Sequence, residues 1–120
     1  MPANLAISEK VFANHVVQLA RGLGWQEFRT WNSKHSPAGW PDLVLLRPPR
    51  MVIAELKTEK GKLTPIQKQV LEMLQQIPGH QVYLWRPRDW DNIVKILQTP
   101  AWRGLETGVP MPEIRSEERA

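Results

Sequence analysis

There is no cysteine anywhere in the 120 residues. Disulfides and thiolate metal sites are therefore excluded, and any metal would be held by oxygen or imidazole. Histidine is scarce too, and His35 has no second histidine nearby at ligand spacing, so it reads as a loop residue rather than a metal ligand. No apolar run approaches the roughly 18 residues of a membrane span. Met1-Pro2-Ala3-Asn4 shows no basic region leading into an apolar core; the expectation is no membrane, no secretory signal and a reducing cytoplasm. The glycines match no phosphate-loop or dinucleotide fingerprint, and no internal repeat is visible. What is present is one domain's length of chain with an ordinary apolar fraction of 42%, enough for a single core.

Charge is the first positive signal. The net charge of +4 makes a polyanion a plausible partner, and nucleic acid is the commonest one. Its distribution says more. Lys34, Arg47, Arg50, Lys57, Lys60, Lys62 and Lys68 all fall between residues 34 and 68, whereas the last eight residues hold three glutamates. Basic character should therefore gather around whatever lies in the middle of the chain.

Periodicity predicts the elements. Ser8 is a good N-cap, and Phe12, Val16, Leu19 and Leu23 recur at helical steps until Gly22 and Gly24. Glu9 shares that face, either turned toward the body of the domain or complementing the helix dipole. Residues 25–31 read as a strand and 32–39 as a polar loop, in which Lys34 and His35 could touch a phosphate backbone. Asp42 to Leu46 and Met51 to Leu56 are continuous apolar runs joined by Arg47-Pro48-Pro49-Arg50, which predicts an antiparallel hairpin of strands covered on both faces. Thr64-Pro65-Ile66-Gln67 is a capping box opening a helix whose stripe reads Ile66, Val70, Leu74 and Ile77, with Pro78-Gly79 as its stop. Gln81 to Trp85 is a fourth strand, parallel to the Met51 strand, and Asp89 caps a last helix. The domain should span 1–98, with 99–120 a poorly ordered tail or one that packs on the domain or a second subunit. The fold class expected is α/β, a central mixed sheet flanked by helices.

Ionisable residues at the ends of the apolar hairpin need an explanation. Antiparallel pairing sets the start of the first strand beside the end of the second, so Asp42 and Glu55 should meet. Two carboxylates there suit Mg²⁺ or Mn²⁺, which take oxygen ligands and keep waters for phosphate to replace. Lys57 lies two residues past Glu55 and points the same way, beside the cation, where it could position an attacking water or stabilise the phosphorane. Leu56 between them points into the core, but its backbone carbonyl could be a further ligand. Asp…Glu-x-Lys is also a frequent chance spacing, compatible with an ordinary ion pair on a half-exposed sheet. The apolar neighbours Val52, Ile53, Ala54 and Leu56, the preceding Pro41 and the capped helix after Lys57 favour the site, because a buried carboxylate demands a partner or a metal.

Pro41-Asp42, a gap, then Glu55-Leu56-Lys57 resembles the PD-(D/E)XK nuclease signature. The fuller run Gly39-Trp40-Pro41-Asp42-Leu43-Val44, Ala54-Glu55-Leu56-Lys57-Thr58 and Gly61-Lys62-Leu63-Thr64-Pro65-Ile66-Gln67 resembles its VRR-NUC subgroup, of the stand-alone bacterial or phage kind. The resemblance implies a restriction-endonuclease-like αβββαβ core, metal ligation by Asp42 and Glu55, a catalytic Lys57, a supporting Glu9 with possible metal contact, and a site-proximal Gln67.

The leading expectation is thus a Mg²⁺- or Mn²⁺-dependent DNA endonuclease with little sequence readout. Lys34, His35, Arg47, Lys60, Lys62 and Lys68 are its candidate DNA contacts. It would act as a homodimer in the cytoplasm of a bacterial or phage-infected cell. Some of the six tryptophans could line that dimer interface, or all could fill the core. The alternatives are a non-catalytic nucleic-acid-binding module and an assembly subunit of the same fold; the presence of Asp42, Glu55 and Lys57 together argues against the former.

Overall fold

Ser8 starts the first helix as its spacing predicts: its Oγ accepts the Val11 N–H at 3.1 Å, and α1 runs Glu9–Gly22. The computed structural model describes residues 5–30 and 37–100. After α1 come β1 (Gln26–Arg29), β2 (Leu43–Arg47), β3 (Arg50–Leu56), α2 (Pro65–Gln75), β4 (Gln81–Trp85), a 3-10 turn at Pro87–Asp89 and α3 (Trp90–Gln98). The chain is an α/β protein, one four-stranded mixed sheet flanked by helices. Sheet order follows chain order, β1 to β4. β1, β2 and β3 pair antiparallel, whereas β4 runs parallel to β3 across the α2 connection.

The two faces of the sheet are covered unequally. On one face Phe12, Val16 and Ala20 of α1 and Ile93 and Leu97 of α3 close over Leu43, Leu45, Val52, Ala54 and Leu56. The other face carries a small cluster of Leu71, Val82 and Leu84, with Leu63 and Leu74 packed against it. β3 and β4 are consequently buried almost throughout, as continuous apolar runs imply. β2 is not: its residues alternate between buried and half-buried, because α2 packs over β4 and leaves the β1 and β2 side of that face open, with Phe28 53% exposed.

The α2 stripe is rotated from the predicted one. Leu71 is its buried residue, and full burial of one leucine contributes about 1.5–3 kcal/mol. Ile66 and Ile77 are exposed; the helix ends at Gln75, so Ile77 lies beyond it. Ile66 is used differently. Gly39 has φ +82°, and a Cβ there would come within 2.8 Å of the Ile66 carbonyl oxygen. Only glycine lets the Pro37 to Pro41 turn lie this close to the start of α2.

Arg47 and Arg50 belong to the ladder as a pair, so the hairpin loop is Pro48-Pro49 alone, shorter than the four residues expected. Trp25, Trp85 and Trp90 are core residues and Trp40 is exposed; Trp31, Trp102 and the tail from 101 onward lie outside the described residues, as do Lys34 and His35. Among the described residues no helix is long and apolar enough to cross a membrane.

Candidate active site

The hairpin register creates the site. Leu43 pairs with Ala54 at the open end of the ladder, and one step further along the same register sets Asp42 opposite Glu55. The Asp42 carbonyl accepts the Thr30 N–H at 2.9 Å, which ties this residue to the end of β1. Its carboxylate reaches the other way, and Oδ2 accepts the Leu56 N–H at 2.9 Å. The side chain is therefore locked across the ends of β2 and β3.

Glu55 is 2% exposed. Its Oε1 is buried with no hydrogen-bond partner, and its Oε2 lies 3.8 Å from the Lys57 ammonium. Burial pushes the Glu55 carboxyl up to about 8, with the Asp42 charge adding to the effect, Lys57 opposing it, and a hydrogen bond with Asp42 and the charge of Glu9 contributing further. At neutral pH the group is mostly protonated, as expected for a carboxyl removed from water beside another carboxylate. Lys57 is mostly buried beside it. Glu9 contributes from α1: burial and the Asp42 charge raise its pKa while Lys57 lowers it. The charges of Asp42 and Lys57 thus act on both Glu55 and Glu9.

A cavity of about 230 Å³ opens at this point, lined by Glu9, Lys10, Arg29, Thr30, Asp42 and Leu56 among others. Gln67 is engaged in the predicted capping box, its Oε1 accepting the Thr64 N–H at 2.9 Å. Lys60 and Lys62 are exposed on the turn after β3, and Lys68 is half-buried on α2. Arg47 is not at this end at all. It sits beside the hairpin loop at the opposite end of β2, bonded to the carbonyls of Leu23, Leu97 and Thr99. The basic cluster suggested by residue numbers divides between the two ends of the sheet, because a strand carries its ends about 3.4 Å per residue apart.

Arg86 has no part in the sequence-based site, yet it shapes the turn after Lys57. Its Nη1 donates to the carbonyls of Thr58 at 2.6 Å, Glu59 at 3.3 Å and Gly61 at 2.6 Å. Arg88 pairs with Glu59 at 3.1 Å. The parallel pairing of β3 with β4 is the signal that could have found them, since it brings residues after Trp85 beside residues after Leu56.

Asp42 and Glu55 are the side chains that could hold a divalent cation here. The buried Oε1 of Glu55 has no protein partner, and the carboxylate of Asp42 stands across from it. Among the described residues no three His, Cys, Asp or Glu side chains are gathered as a metal-holding group. The protein would therefore offer two carboxylates and leave other positions to water or phosphate, the usual pattern for Mg²⁺. No protein-family model matches the chain, and no curated protein or solved structure matches it either.

Proposed function

We propose that the chain is a Mg²⁺- or Mn²⁺-dependent DNA endonuclease of the VRR-NUC kind, with a restriction-endonuclease-like core, acting on branched, flapped or nicked DNA with little sequence readout. The observation that carries this reading is the Glu55 carboxyl, buried, with one oxygen unpartnered, opposite Asp42 and 3.8 Å from Lys57. Such a group is poorly explained by stability, since burying a carboxyl with one oxygen unpartnered costs free energy. Perturbed ionisable groups gather at functional sites, and the cavity lined by Asp42 and Glu9 opens beside this one. The element order from α1 to β4 is the αβββαβ order that the resemblance implies.

Asp42 and Glu55 would hold the cation, with the Leu56 carbonyl as a further donor. When bound, the cation supplies charge neutralisation at the phosphodiester and lowers the pKa of water. The chain's own residues do the remaining work. The Leu56 N–H fixes Asp42, so its carboxylate needs no reorganisation on substrate arrival. The Lys57 ammonium stands where negative charge develops on phosphate oxygens as water attacks phosphorus. Arg86 holds the turn that follows Lys57, which restrains the lysine's backbone.

The test is cleavage of a panel of branched, single-stranded and duplex DNAs with Mg²⁺, with Mn²⁺ and with EDTA. Metal-dependent cleavage of at least one substrate is expected; full activity in EDTA would overturn the mechanism. The raised Glu55 pKa also fits a non-catalytic nucleic-acid-binding module in which Asp42 and Glu55 share a proton and no cation enters. DNA binding without turnover by any metal would favour it.

A further inference from the structure

The cavity beside Asp42 is lined by groups of both charge signs. Asp42 and Glu9 line it with carboxylates, while Lys10 and Arg29 bring two cations to the same lining. Neither cation follows from the nuclease resemblance. They reach the same place from different elements: Lys10 and Asn14 are four residues apart on α1 and so share a helix face, and the Arg29 guanidinium on β1 donates to Asn14 Oδ1 at 3.4 Å. Arg29 is also tied to the carboxylate end of the sheet, because it pairs with Leu43 and the next residue, Thr30, bonds to Asp42.

Resting on the nuclease reading above, we infer that Lys10 and Arg29 form a phosphate-binding subsite for the nucleotide adjoining the one cleaved. Successive phosphates of one strand lie about 3.4 Å apart along a duplex axis, so a strand with one phosphate at Asp42 and Glu55 must place a neighbour close by. Asp42 and Glu9 repel it unless a cation intervenes, whereas Lys10 and Arg29 attract it. The cavity has the space. At roughly 30 Å³ per water its volume of about 230 Å³ holds several waters, some of which a phosphate can replace. The strand would therefore run from the carboxylates along the α1 and β1 side, not only past the lysines on the turn after β3. Guanidinium and ammonium groups grip phosphate without reading bases, so the subsite sets the strand's path, not its sequence.

The experiment measures DNA affinity against salt concentration in Ca²⁺, with cleavage measured separately in Mg²⁺, for wild type, Lys10→Ala, Lys10→Ala with Arg29→Gln, and the control Lys95→Ala on α3. Each lost phosphate contact should lower the magnitude of the salt slope by about 1. Lys10→Ala, at an exposed helix position, should fold normally and lose about one unit; the double variant should lose about two, equally for unrelated sequences, and Lys95→Ala none. An unchanged slope in folded Lys10→Ala, with wild type still binding and cutting, would overturn the subsite and leave the nuclease reading standing. Wild type that neither binds nor cuts DNA would overturn both.

Discussion

The two ends of the central hairpin bury ionisable groups in opposite ways. At the loop end Arg50 is 2% exposed, and each of its three guanidinium nitrogens is bonded, to Gln81 Oε1 at 3.0 and 2.7 Å and to the carbonyls of Ile96 and Thr99 at 2.7 Å. Arg47 beside it takes carbonyls of Leu23, Leu97 and Thr99. Both lie over the Trp25 ring, at 4.7 and 4.9 Å. Two cations thus close the C-terminal end of α3, where the helix dipole and the last carbonyls want positive charge. At the open end Glu55 is equally buried, but one oxygen has no partner and the neighbour opposite is another carboxylate. The bonded Arg50 charge ties β3 to β4 and α3, whereas Glu55 is buried beside another carboxylate with one oxygen unbonded and its proton retained at neutral pH.

The largest effect expected is on catalysis at the open end. Lys57→Ala, or Asp42→Asn, which retains an acceptor for the Leu56 N–H, should lower cleavage by about 100- to 1000-fold, the loss typical of removing one preorganised electrostatic group. Circular dichroism and the melting temperature should hardly move. Unimpaired cleavage by either variant would end the contrast between the two ends.

Arg50→Met should do the reverse, unfolding the protein at lower urea by about 3–5 kcal/mol. It strands Gln81 and two carbonyls without their donor. Divalent cations should not rescue it.

The pH dependence of stability separates the ends next. Glu55 keeps its proton in the folded state up to about 8, whereas the unfolded chain releases it near 4.5. The folded state therefore binds more protons between these values, and its stability should fall by a few kcal/mol as pH rises from 4.5 to 8. Glu9, also raised, adds to the same slope. Glu55→Gln should flatten the profile, and Mg²⁺ should restore wild-type stability at pH 8 by favouring the ionised pair. A flat wild-type profile in urea titrations would sink the buried-carboxylate argument.

The smallest effect is at the loop end. Burial raises the Tyr83 hydroxyl to about 12, so stability should decline only above pH 10, where the unfolded chain ionises first. Tyr83→Phe should remove that decline and cost about 1 kcal/mol at neutral pH, the acceptor lost by Gln81 Nε2 at 2.9 Å. An alkaline melting series checks it.

Local chemistry made most of the fold legible. Ser8 and Thr64 cap the helices they were expected to cap, because a capping bond involves residues only three apart. The hairpin register followed from two apolar runs and a short loop, and with it the meeting of Asp42 and Glu55. Less local features were not legible. Which side of α2 faces the sheet, and whether a second layer covers β2, depend on how far α2 extends across the strands. Arg47 looked like a phosphate contact because it is close in number to Lys57. Arg86 looked like nothing because it is far in number from Lys57, yet it holds the turn that follows that lysine.

By itself the sequence determined the elements, the caps at Ser8 and Thr64, the pairing of the hairpin and the residues that meet at its open end, since all of these depend on periodicity and on neighbours a few positions away; Asp89 precedes α3 as expected but bonds the Arg86 N–H instead of capping it. Only the tertiary structure decided that one oxygen of Glu55 is left unpaired, that Arg47 and Arg50 serve α3, and that Lys10 and Arg29 share a cavity with Asp42. Burial and charge balance belong to the packing of distant segments, and no stretch of chain carries them alone.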